Sequence, residues 1–344
     1  MAEGDRSRLI RRTREDAERL ERRELSPAAT QSVDTRGRNV PEAPDPDRTV
    51  FERDRDRILH SKAFRRLKHK TQVFINPDGD HFVTRLTHTL QVTQIGQALA
   101  TYLRLNVPLA EAICLGHDVG HSPFGHIGED ALTPYVPGEW HHAAQSVRVF
   151  EVLEPLNLTW EGRDGIRAHS WKIDPPPSTP EGMVCRFADR IAYLTHDVDD
   201  AVRAGVISYA DLPGKATGVF GEPGSAWIGS MIDAVVDESL ERGEVVMDPN
   251  ALEVMNELRD FMFERVYLRP EAEEQREEAI RVIRGLTDHY IERPEEVPDS
   301  YRHHGADDVT AAIDYVSGMT DRFAVREWER ISGQPPASSL QQEP

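Results

Sequence analysis

Residues 181–204 read EGMVCRFADRIAYLTHDVDDAVRA. Met183, Phe187, Ile191, Leu194 and Val198 follow i, i+4, i+8, i+11 and i+15, which is one apolar stripe of an α-helix. Asp189, Tyr193, His196 or Asp197, and Asp200 follow i, i+4, i+7 or i+8, and i+11 on a second face. Solvation explains part of that polar stripe. Asp189, flanked by Ala188 and Ile191, does not read as solvent decoration.

The helical period extends in both directions from this stretch. Residues 5–24 read as a charged helix, and 25–49, with four prolines and Gly37, as loop. A helix is expected from Thr49, a plausible N-cap, to about Leu67. Residues 71–84 alternate weakly around Asn76-Pro77-Asp78-Gly79, which predicts a short hairpin or loop. Further helices are expected near 86–103, 108–117, 123–133, 141–153, 162–169 and 180–204, then at 225–242, 249–266, 268–291 and 308–331. The fold class is all-α, a multi-helix bundle. Its expected parts are an N-terminal helix and loop (1–50), a core (51–205), a helical C-terminal extension (206–332) and a disordered tail (333–344).

The chain has 344 residues, 38% of them hydrophobic and 29% charged, with a formal net charge of −19 and two cysteines. Such a composition is globular and excludes both a disulfide scaffold and a cysteine zinc module. The absence of a membrane-length apolar run or a secretory apolar segment points to a soluble, cytoplasmic protein with no membrane partner. The acidic balance argues against a dedicated duplex-DNA binder. Segment 51–70, FERDRDRILHSKAFRRLKHK, opposes it with eight Lys/Arg against three acids. An ion-paired helix face is favoured there over an anion-binding edge.

Nine of the fourteen histidines fall between residues 60 and 142, where even scatter would place about three. The sharpest stretch is 115–126, LGHDVGHSPFGH. It sets His117 and Asp118 side by side at a helix end, with His121 and His126 in the turn that follows. A cluster this dense, mixed with carboxylates, points to a metal or phosphate site. Cys114 and Cys185 lie in apolar segments and read as buried thiols.

His88, the pair His117–Asp118 and the distant Asp189 resemble the H…HD…D pattern of HD-domain metal-dependent phosphohydrolases. RDRDRILHSKAFRRLKHKTQVF, TRLTHTLQV, GHDVGHSPFGHIGE and ADRIAYLTHDVDD resemble, in order, the deoxyguanosinetriphosphate triphosphohydrolase (dGTPase) family, as does DYVSGMTDRFA at 314–324. The resemblance implies an HD fold with one divalent ion, Mg or Mn first and Fe, Co, Ni or Zn as alternatives, on His88, His117, Asp118 and Asp189. It implies hydrolysis of a dNTP to a deoxynucleoside and inorganic triphosphate, by metal-activated water attack at the α-phosphate.

The same resemblance gives Arg85 and His126 to the phosphates and His121 to a place beside the α-phosphate. His142 becomes the candidate proton donor to the leaving oxygen, chosen over His141 by its spacing to Gln145-Ser146. Gln72, Tyr193 and Asp197 face the deoxyribose, and Arg190 a phosphate. The chain departs from the family pattern at Val83, where many members carry Arg. It also has Ala143 and Ala144 where many carry an Asn or Glu, an acid there serving to orient the histidine. A homo-oligomer is expected, and an allosteric dNTP and single-stranded nucleic acid are partners to test. The competing readings are an HD-type nucleoside monophosphatase or phosphodiesterase, and a nucleotide or single-stranded nucleic-acid binder with a weak site.

Overall fold

The computed structural model describes residues 9–75, 81–302, 305–334 and 340. Its sixteen α-helices among the described residues confirm the all-α class. They are α1 (Arg14–Glu24), α2 (Val50–His60), α3 (Lys62–Arg66), α4 (Arg85–Tyr102), α5 (Val107–Gly116), α6 (His126–Leu132), α7 (His142–Arg148) and α8 (Trp160–Ala168). They continue with α9 (Pro180–Arg203), α10 (Gly214–Phe220), α11 (Ser225–Arg242), α12 (Pro249–Met262), α13 (Glu273–Glu292), α14 (Asp299–Arg302), α15 (Asp308–Ser317) and α16 (Asp321–Ser332). No helix among the described residues is long and apolar enough to cross a membrane.

Local chemistry sets the boundaries. Thr49 caps α2 in a reciprocal box with Glu52, as expected. The expected single helix to Leu67 breaks at Ser61, whose extended backbone ends α2 while its hydroxyl caps α3 at Phe64 N. Glu154 receives the free N–H groups of Lys62 and Ala63 at the same break. The first helix starts at Arg14, because Thr13 forms a capping box with Asp16 there. Residues 5–8 of that expectation lie outside the described residues, as do 76–80 of the expected turn and 335–339 and 341–344 of the tail. What remains near 71–84 is a single antiparallel bridge, Thr71 to Thr84, rather than a hairpin ladder. The expected helix 308–331 divides at Gly318–Thr320, where Thr320 caps α16.

Two hydrophobic cores organise the helices. The first runs from Ala29 to Val266 and is built around α4, α5 and α9. Phe187, Ile191, Leu194 and Val198 of the α9 stripe are buried in it, with both cysteines. Gly96 lets α5 lie close to α4, since a Cβ there would come within 2.7 Å of Cys114 Sγ. The second core joins α13, α15 and α16 to Phe124, Ala131, Leu132 and Trp140. The segment around α6, though internal to the sequence, therefore packs with the C-terminal helices.

The first half of the basic segment, on α2, is ion-paired. Arg53 and Arg57 both reach Glu42, and Arg55 reaches Asp56 and Glu111. Lys70 is buried and donates to the carbonyls of His121 and Ser317. Burial pushes its ammonium down to about 7.

Candidate active site

The start of α4, the end of α5 and the middle of α9 converge in the first core. His117 follows the last residue of α5, and its Nδ1 donates to Cys114 O at 2.6 Å. That bond fixes the tautomer, so the lone pair is on Nε2. Nε2 is buried, has no hydrogen-bond partner, and lies 3.4 Å from Asp118 Oδ1 and 3.7 Å from Asp189 Oδ1. His88, on the first turn of α4, places Nε2 3.1 Å from Asp189 Oδ1 and 3.9 Å from Asp118 Oδ2. Asp189 projects from α9 between the two imidazoles. The ligand atoms of His88, His117 and Asp189 lie within 4.8 Å of one another.

The electrostatics match the geometry. Burial pushes His117 below its ordinary value against the pull of Asp118 and Asp189. Burial opposes charge on Asp118, yet His117 and Arg85 hold its carboxyl well below the usual range. Asp189 is lowered to about 2, its hydrogen bond from His88 and the nearby His117 outweighing burial. An orphaned imidazole nitrogen facing two carboxylates is a position that a cation completes. The donor set therefore fits the divalent ion that an HD domain implies.

A second group of side chains stands beside the first. Arg85 Nη1 donates to Asp118 Oδ2 at 2.6 Å, and its Nε to Thr71 O at 3.2 Å. Glu129, on α6, presents Oε1 to three histidines. It lies 2.6 Å from His142 Nδ1, 3.1 Å from His121 Nδ1 and 3.4 Å from His126 Nδ1. His121 and His142 stack with centroids 3.9 Å apart and planes 11° from parallel. Stacked rings so close do not both carry charge readily. Burial, Arg85 and His142 push His121 well down, whereas Glu129 and Asp118 raise His142 despite burial. Of the two stacked rings, His142 is the one on which these groups favour a proton.

Of the two adjacent histidines, His142 enters this group while His141 sits 3.4 Å from Glu139 at the edge. The orienting acid absent at Ala143 and Ala144 is supplied by Glu129 instead. His126 is 75% exposed and forms the rim. Gln72 runs past Gly125 and Arg85, and its Oε1 is buried without a partner.

The remaining positions lie along α9. Asp197 is buried and accepts from Tyr267 Oη at 2.7 Å; burial raises it to about 7. Tyr193 is raised to about 12 by burial. Arg190 lies over the Trp171 ring at 4.1 Å and donates to Asn256 Oδ1 at 2.9 Å, with a buried Nε that has no partner. Asp197 and Arg190 are thus each bound by a residue after 205.

Two tight contacts lock the groups together. Gly120 lies against α7, where a Cβ would fall 2.2 Å from Ser146 N. Ser146 Oγ accepts from Gly120 N and donates to His117 O. From the second core, Asp321 accepts from Thr71 N, Thr71 Oγ1 and Phe124 N, fixing the loops behind Arg85 and His121.

Sequence reasoning missed Glu129, His169, Tyr267 and Asp321. Glu129 lies three residues after His126 in a motif already singled out, and i, i+3 spacing on a helix was its signal. His169 follows α8 as His117 follows α5, and its Nδ1 likewise contacts the carbonyl three residues back, Ile166 O at 2.8 Å. Tyr267 carries no local signal, and Asp321 lies in the 314–324 stretch already singled out, with no role assigned to it.

Comparison with known proteins agrees with this geometry. The HD domain family matches residues 85–194, and the phosphohydrolase-associated domain family matches residues 245–330. A curated protein of Caldanaerobacter subterraneus subsp. tengcongensis, named deoxyguanosinetriphosphate triphosphohydrolase-like protein, is 45% identical over 328 residues, covering 93% of this chain and 96% of that protein. Proteins of the same name from Clostridium perfringens and Cereibacter sphaeroides are 43% and 36% identical, over 92% and 90% of this chain and 97% and 100% of their own lengths. The site is that of a metal-dependent hydrolase, and the chain belongs to the deoxyguanosinetriphosphate triphosphohydrolase-like family of HD-domain phosphohydrolases.

Proposed function

We propose that this protein hydrolyses deoxynucleoside triphosphates to a deoxynucleoside and inorganic triphosphate. The observation that carries the reading is the position of Asp118. Its Oδ1 faces His117 and His142, and its Oδ2 faces His88 and Arg85. One carboxylate thus joins a metal-ligand set to a cation and an oriented imidazole, the parts that cleavage of a phosphate ester needs. The names of the relatives support a dNTP as substrate.

A divalent ion on His88, His117, Asp118 and Asp189 supplies Lewis-acid polarisation of a phosphoryl oxygen and lowers the pKa of water. Arg85 and His126 neutralise phosphate oxygens, and Arg190 offers a third cationic contact. Water adds at the α-phosphorus and the bond from phosphorus to O5′ breaks. His142, held by Glu129 and raised above its ordinary value, gives its proton to O5′. Neutral His121 stacks on that ring and keeps it in place. By the family resemblance Gln72, Tyr193 and Asp197 face the deoxyribose and sense the missing 2′-hydroxyl by close packing. A homo-oligomer belongs to the same proposal, and light scattering showing only a 38.9 kDa species contradicts it.

Product analysis tests the reading. The protein is incubated with each dNTP, singly and mixed, with Mn or Mg, and the products are separated by ion exchange. Deoxynucleoside with intact triphosphate, abolished in Asp118→Ala, is expected. Release of orthophosphate or pyrophosphate overturns it, and no turnover with any mixture favours the monophosphatase and binding alternatives.

A further inference from the structure

We infer that a cavity between α3, α7 and α15 binds a small tetrahedral oxyanion such as inorganic phosphate. The cavity has a volume of about 130 Å³, and Lys62, Arg66, Lys70, Gln145, Tyr301 and Ser317 are among its lining residues. None of the residues given above to the metal, the phosphates or the sugar lines it.

Its cations lack counter-ions. Lys70 is buried, and two of its three ammonium hydrogens go to carbonyl oxygens, that of His121 and, at 3.0 Å, that of Ser317. Arg66 is half-buried, and its Nη1 meets Gly318 O at 3.2 Å and Tyr301 Oη at 3.4 Å. All these partners are neutral, and among the described residues no carboxylate is ion-paired with either cation. The neighbouring acids are engaged elsewhere. Asp314 pairs with Arg148 and accepts from Gln145 Nε2. Asp321 accepts from Thr71 and Phe124. Glu154, the one acid in the lining, accepts from the N–H groups of Lys62 and Ala63. Burial, and after it the Arg66 guanidinium, push the Lys70 ammonium down to about 7, as befits a cation with no counter-ion.

A buried cation without a partner is costly, and an anion in the cavity removes that cost. The remaining Lys70 hydrogen, the Arg66 guanidinium and the Tyr301 hydroxyl are the donors for its oxygens. Size selects the ligand. Pockets for whole small molecules hold about 300–1,000 Å³. A cavity of about 130 Å³ takes one oxyanion and no nucleoside. Gly120, in the turn between His117 and His121, is part of the wall, so a bound anion ties α3 and α15 to that turn. The site does not depend on which ester is cleaved, so it and the triphosphohydrolase reading fail separately.

The test uses the full chain stripped of metal by chelator, so that no ion in the active site holds phosphate. Inorganic phosphate is titrated by calorimetry at constant ionic strength into the unaltered protein, Arg85→Gln and Arg66→Gln. Arg85→Gln, which loses an active-site cation, should still bind one phosphate per chain and gain a few degrees in Tm over matched chloride. Arg66→Gln should bind roughly 10-fold or more weakly. No binding to Arg85→Gln, or equal affinity in Arg66→Gln and the unaltered protein, overturns the site. Displacement of the phosphate from Arg85→Gln by a deoxynucleoside monophosphate assigns the anion to a nucleotide and also overturns it. Where either variant fails to fold, crystals of the unaltered protein grown with arsenate decide the matter. An anomalous arsenic peak beside Lys70 Nζ and Arg66 is expected, and an empty cavity contradicts the proposal.

Discussion

The two sides of the active site are built differently. The metal side hangs on the start of α4, the end of α5 and the middle of α9, which carry His88, His117, Asp118 and Asp189 within the first core. The histidine-rich side is a set of short segments from His121 to His142, held from behind by the C-terminal helices. Asp321 fixes Thr71 and Phe124, Asp314 fixes Gln145 and Arg148, and Lys70 joins His121 O to Ser317 O. One half is rigid through its own helices. The other borrows its rigidity from distant parts of the chain.

The contact that joins the halves is the place to break them together. In Gly120→Ala the new Cβ falls 2.2 Å from backbone, which cannot yield as a flexible side chain would. We expect a loss on the order of 2 kcal/mol or more in stability, read as a lower Tm, with weakened metal binding. A normal Tm and full activity would show that the turn and α7 are not coupled.

Glu129→Gln separates the halves. The set of His88, His117, Asp118 and Asp189 is untouched, so bound metal should hold while kcat falls roughly 10- to 100-fold. The sign of the pH effect follows from Glu129. It raises His142, and a protonated donor is lost as pH rises through its pKa, so removing the carboxylate moves that loss to lower pH. An unmoved alkaline limb in the kcat profile would remove His142 from proton transfer.

Asp197 sharpens the comparison on the α9 side. With its carboxyl raised to about 7, it is largely neutral below that pH and a carboxylate above it. As an acceptor for a sugar hydroxyl it should lower KM several-fold as pH rises through about 7, a step that vanishes in Asp197→Asn. Asp321→Asn is the mildest change. It keeps one acceptor of the two carboxylate oxygens and should raise KM by a few-fold through Arg85, with kcat little changed, as steady-state kinetics would show.

The same division explains what could be read in advance. The α9 stripe, the Thr49 cap and the HD pair depend on local spacing, and they stand in the structure where the spacing puts them. Glu129 was overlooked because an acid was sought next to His142, whereas it comes from α6, thirteen positions earlier. His169 lay outside the dense histidine region. Tyr267 reaches Asp197 across seventy positions, and Asp321 reaches Thr71 across two hundred and fifty. No periodicity or local motif carries contacts of that range.

The central claim is that water attacks phosphorus and O5′ leaves with the proton. Hydrolysis of a dNTP in water enriched in oxygen-18, followed by mass spectrometry of both products, tests it most directly. One labelled oxygen in the inorganic triphosphate and none in the deoxynucleoside is the predicted result. Label in the deoxynucleoside, or on any smaller phosphate product, would contradict it.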